Sequence, residues 1–290
     1  MLWLYTIKIG VSKSMGEAKR RKAEIEMFKR ASPEDAARRR QSTQDERILV
    51  RGINPESQNP EAIAGMARLL QTMFESAKQN GNIDPAITFL QSKVDATVQG
   101  LGDIPIACKK GCSHCCNIWV SASAPEVLFI SKIVRLRGEL AIDKVRVAHQ
   151  RTKDYDFDTR DQYPYPCPLL EQDVCSIYYS RPKTCRLAAS ADDSICARSY
   201  HNLSNEDIPT PVMYLLGRSM YTVAMAAALR KVNLPYHGYE LNSALVRAID
   251  TDDAERSWLS GQDIFSDVLR EPGDLFSDIH AQRLYEYAFP

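Results

Sequence analysis

Cys108-Lys109-Lys110-Gly111-Cys112-Ser113-His114-Cys115-Cys116 places four thiols within nine residues. Thiols this close in sequence can turn back onto one ion at little cost in chain entropy, and Gly111 permits the tight backbone turn this requires. Lys109 and Lys110 add positive charge that favours thiolate over thiol. Clustered sulfurs of this kind are typical of zinc and iron–sulfur sites. The adjacent pair Cys115 and Cys116 is expected to diverge from consecutive backbone positions. Their sulfurs would then serve two metals, or one metal and the core; a strained chelate of both on one ion is the alternative. The stretch reads as an irregular loop, so the elements on either side of it decide the fold.

Those elements are helical. Upstream, Asn59-Pro60-Glu61 opens a helix whose Ile63, Met66, Leu70, Met73, Phe74 and Ala77 recur at steps of three and four, with a stop at Asn80-Gly81. Asp84-Pro85 opens a second, with Ile87, Leu90, Val94 and Val98 on one face and Gly100 at its end. Downstream, Ser123-Ala124-Pro125-Glu126 is a capping-box pattern leading into Val127, Ile130, Ile133 and Val134. Further helices are expected over 140–151, near 212–231 and near 239–250, with short ones closing the chain. Residues 154–170, with Tyr163-Pro164-Tyr165-Pro166, read as extended loop. No strand alternation of useful length is present. The expected fold class is mainly α: a helical domain over 55–290 whose irregular cysteine-bearing loops, within 106–200, surround a metal centre.

The remaining cysteines are Cys167, Cys175, Cys185 and Cys196. Eight is an even number and would suit a disulfide framework. However, Met1-Leu2-Trp3-Leu4-Tyr5 has no positive residue ahead of its apolar run and no small-residue cleavage site after it, unlike a secretory leader. A cytoplasmic, reducing setting is therefore expected, in which clustered cysteines bind metal or do redox chemistry. All eight are candidate metal ligands, either around one shared site or in two sites of four.

At this point the sequence resembles a known family, the bacterial cysteine-cluster proteins of the CxxCxxCC type, described as a zinc- or iron-chelating domain. The resemblance covers roughly residues 106–200. It rests on Cys108-x3-Cys112-x2-Cys115-Cys116, on Cys167-Pro168-Leu169-Leu170, on Cys175-x-Ile177-Tyr178 and on Arg181-Pro182-x-x-Cys185-Arg186. The first gap has three residues where the family's name implies two, which alters the loop more than the ligand count. The resemblance implies chelation of zinc or iron, with an iron–sulfur cluster among the options. Some similar proteins are flagellin lysine N-methylases, which suggests an S-adenosylmethionine-dependent iron–sulfur enzyme as an alternative to a metal-binding protein. An interaction module stapled by structural zinc is a third reading.

Other readings of the same residues carry less. Cys108-x3-Cys112-x2-Cys115 matches the radical S-adenosylmethionine spacing, but that fold follows its motif with alternating strands and helices. Cys112 or Cys115 with His114 or His201 could form a catalytic pair. Arg181 and Arg186 can either face the negative charge of a thiolate centre or make ordinary ion pairs. The chain has 290 residues, 44% hydrophobic and 26% charged, with zero formal net charge. The charge is uneven: residues 1–40 hold eleven Lys or Arg against five Asp or Glu. Residues 1–46 therefore read as a basic, polar, helical arm, with Ser32 as an N-cap, suited to contact with an acidic protein or nucleic acid. Met15 opens this stretch and is an alternative start to Met1. Val212 to Ala228 contains Arg218 and Ser219 and falls short of the roughly 20 apolar residues of a membrane span. No membrane partner is expected.

Overall fold

Asn59 Oδ1 accepts the Ala62 N–H at 3.3 Å, and Pro60 fits the first turn, where its missing N–H leaves no bond unmade. Helix α1 therefore runs Pro60–Asn80 and ends at Gly81, whose φ of 69° is the left-handed cap that lets its N–H reach the Ala77 carbonyl. The computed structural model in which these features are seen describes residues 59–157, 159–201 and 206–290. The basic arm over 1–46, its Ser32 cap and the choice between Met1 and Met15 lie outside the described residues.

Helix α2 spans Asp84–Gly100, α3 Ala124–Leu136 and α4 Glu139–Thr152. Two short helices, α5 (Lys183–Arg186) and α6 (Asp193–Ser199), carry the last two cysteines. Then follow α7 (Val212–Lys231), α8 (Leu241–Asp250), α9 (Ala254–Leu259) and α10 (Ile279–Ala288). The chain is mainly α, as its periodicity indicates. Helix α1 lies against α7, α10 packs on α1, and α8 packs against both α3 and α4. The core is the expected apolar face of each helix: Ile63, Leu70, Phe74, Ile87, Leu90, Val127 and Ile130 are fully buried. Each contributes about 1.5–3 kcal/mol through removal from water. Phe74 meets Trp258 edge-to-face at 6.3 Å, tying α9 to α1.

Helix α7 is long and apolar enough to cross a membrane by composition alone. However, 67% of its most apolar window is buried within the protein, as in a core helix.

Short strands depart from the expected pattern. Strand β1 (Ser121–Ser123) pairs antiparallel with β4 (Gly238–Glu240), with Ala122 opposite Tyr239. The helix expected near 239–250 therefore begins at Leu241, because 238–240 are taken up in this ribbon. Gly238 is required here. A Cβ would collide with Ser121 Oγ and come within 2.8 Å of Glu271 Oε2. A second hairpin joins β2 (Leu170–Glu171) to β3 (Val174–Cys175) through Gln172 and Asp173, both at positive φ (49° and 63°). Two- and three-residue strands are too short to leave an alternation in sequence.

Candidate metal centre

Six of the eight cysteines lie outside helices α1–α10; Cys185 and Cys196 sit on α5 and α6. At Gly111 the backbone adopts φ 89°, and the Cys112 N–H returns to the Lys109 carbonyl at 3.0 Å. A 3₁₀ turn over His114–Asn117 then carries Cys115 and Cys116.

The backbone of this loop is paired to the second cysteine segment. The Cys167 N–H donates to the Cys116 carbonyl at 2.7 Å, and the Tyr165 N–H to the Asn117 carbonyl at 2.9 Å. Arg160, only 1% exposed, locks the junction. Its guanidinium donates to the carbonyls of Asn117 (3.0 Å), Tyr163 (2.7 Å) and Tyr165 (3.2 Å). On the other side, the Ala107 N–H donates to the Ser190 carbonyl at 2.8 Å, and the Ser190 N–H donates to Cys108 Sγ at 3.3 Å. The Ser190 side chain lies beside the Cys196 sulfur and lowers its thiol.

All eight thiols are free, and all eight line one cavity of about 850 Å³. Within it they form two neighbourhoods. Cys196 feels the charge of Cys108, Cys112 and Cys115; Cys185 feels that of Cys167, Cys115 and Cys175. Cys115 belongs to both. The neighbouring Cys116 thiol, on the same 3₁₀ turn, raises that of Cys115. Among the described residues, no three Cys, His, Asp or Glu donors stand close enough as placed to hold an ion.

The electrostatics balance burial against directed donors. Burial pushes the Cys167 thiol up to about 12, while a hydrogen bond from the Leu169 N–H opposes the rise. Burial likewise raises Cys175, opposed by the Ile177 N–H, and Cys112, opposed by the His114 N–H. In all three, the N–H two residues on points at the sulfur. Cys185 is raised by burial and by its thiol neighbours, and Cys115 by the Cys116 thiol and by burial.

The two arginines divide their roles. Arg181 stacks on Tyr178, 3.7 Å from the ring centroid, and its charge lowers Cys115, Cys175 and Cys185. Arg186 instead ion-pairs with Asp95 and bonds the Tyr179 and Arg181 carbonyls, so it holds the backbone of the Arg-Pro-x-x-Cys-Arg turn. Lys109 turns away to Asp193 at 3.1 Å rather than towards the sulfurs. His114 Nδ1 lies 3.3 Å from His201 Nε2.

Three supporting residues escape a reading by motif. Arg160 and the buried Glu126–Lys183 pair shape the loops; Arg160 lies outside the cysteine pattern, Lys183 fills one of its unspecified positions, and only the capping box at Ser123 marks Glu126 in sequence.

Compared with known proteins, the chain matches no curated protein and no solved structure. A family model does match the segment that carries the thiols. Residues 107–206, which hold all eight cysteines, match the model of the CxxCxxCC family, described as a "putative zinc- or iron-chelating domain".

Proposed function

We propose that this chain chelates zinc or iron through two groups of four cysteines: Cys108, Cys112, Cys115 and Cys196, and Cys116, Cys167, Cys175 and Cys185. The observation that carries the reading is the convergence of eight free thiols, from segments spread over Cys108 to Cys196, on a single cavity. The donor set fits either metal. Sulfur alone suits structural zinc and iron–sulfur clusters alike. The N–H groups aimed at Cys112, Cys167 and Cys175 favour their thiolate forms, the forms that ligate. Arg181 compensates part of the negative charge that four thiolates bring to one centre. Because most of the ligands lie on loops, binding would draw their sulfurs together and couple metal uptake to ordering of the region.

The test is purification under nitrogen followed by measurement of zinc, iron, acid-labile sulfide and the visible spectrum. Stoichiometric zinc in colourless protein, or iron with sulfide in brown protein, supports chelation and identifies its form. Protein holding neither after anaerobic reconstitution would overturn it.

A further inference from the structure

The cavity is far larger than the thiol groups require. At about 850 Å³ it falls in the range of small-molecule sites. Helix α7 forms one wall of the cavity, packed against α5. Tyr214, Arg218 and Thr222 recur at four-residue steps, so one stripe of this helix lines the cavity. Tyr214 is close enough to Cys108 to feel its charge. Arg218 follows four residues later, about 6 Å along the axis.

Arg218 is the conspicuous group of this wall. Its Nε is buried with no hydrogen-bond partner, and its guanidinium enters no ion pair among the described residues. A buried donor on a cation left unmatched is costly. No ion pair among the described residues joins it to a carboxylate lining the cavity. Asp274 accepts from Tyr236 Oη and the Phe276 N–H, Asp278 caps α10, and Glu206 is paired with Arg198. The packing of Gly217 against Leu187 fixes this turn of α7 in place. Glu271 also lines the cavity, beside Gly238.

We infer that the α7 wall binds a small organic molecule through a carboxylate or phosphate group held by Arg218, next to the thiol wall. A planar guanidinium suits either anion by paired N–H···O bonds. Tyr214 and Thr222 supply hydroxyls above and below it on the same stripe. The negative Glu271 favours a ligand that is cationic or donor-bearing elsewhere. The site does not depend on which metal the thiols hold.

Isothermal titration of the full chain with inorganic phosphate and, separately, glutarate tests this. At least one probe should bind saturably at a single site, and which one does distinguishes phosphate from carboxylate recognition. Arg218→Met should weaken that binding by about tenfold or more, the size of a lost charge-assisted contact. Arg218→Lys, which keeps the charge, should lose less. Thermal melting of both variants checks that the fold persists, and Arg218→Lys carries the comparison should Arg218→Met unfold. No saturable binding of either probe, or wild-type affinity in the variants, overturns the inference. Metal content measured on the same samples reports separately on chelation.

Discussion

The Lys183 ammonium lies 3.0 Å from the Glu126 carboxylate, and both side chains are shielded from water. The same carboxylate accepts the Lys183 N–H at 2.7 Å and the Ser123 hydroxyl at 2.6 Å. One buried acid thus closes the capping box of α3 and anchors the start of α5, two residues before Cys185. Glu126→Gln leaves a buried ammonium without its counter-charge and should cost about 3–5 kcal/mol, read by urea unfolding.

The same pair sets a pH dependence. Burial alone would raise the Glu126 carboxyl, but Lys183, Ser123 and their N–H groups overcome it and hold it below the usual 4.5. The unfolded state then binds a proton more readily than the folded one. The stability from this group is complete above pH 4.5 and is lost as the pH falls through the lowered value. Unfolding free energies measured from pH 7 down to pH 3 should show that decline, and Glu126→Gln should flatten it.

Arg160→Met removes the donors that hold the carbonyls of Asn117, Tyr163 and Tyr165. Carbonyls stranded in the interior should lower stability by about 3 kcal/mol. Metal content should fall as well, because this junction aligns Cys116 with Cys167. A variant that loses stability but keeps full metal occupancy would separate Arg160 from the centre.

Cys115 neighbours both thiol groups, whereas Cys196 and Cys185 each neighbour one set. Cys115→Ser should therefore reduce metal in both, and Cys196→Ser or Cys185→Ser in one only. Native mass spectrometry counts the ions per chain. Equal losses in all three variants would contradict this division.

Gly238→Ala places a methyl group against Ser121 Oγ and the Glu271 carboxylate. The β1–β4 ribbon should shift, at a cost of about 1–3 kcal/mol in thermal or chemical unfolding.

The helices were legible because their signals are local. The Asn59 cap, the Gly81 stop, the Ser123–Glu126 box and the three- and four-step apolar pattern each act within a few residues. The cysteine loops were legible as irregular segments between helices, and all eight cysteines line one cavity. Their wiring was not legible. Arg160 serves carbonyls as far away as Asn117, and Glu126 meets Lys183 across 57 residues; such partners leave no periodic trace. The 3₁₀ turn that carries Cys115 and Cys116 was hidden too, since such short turns do not announce themselves in sequence.

Ser190 touches the sulfurs of both Cys108 and Cys196, which lie 88 positions apart in the chain. An ion gripped by both would act as a cross-link knotting the two ends of the cysteine region, with α3 and α4 enclosed between them. By analogy with covalent cross-links, closing a loop of that length removes roughly 4–5 kcal/mol of unfolded-chain entropy. Loading with metal would then work as a latch on the tertiary structure. A protease could distinguish loaded from stripped chains by how readily it cuts between those two cysteines.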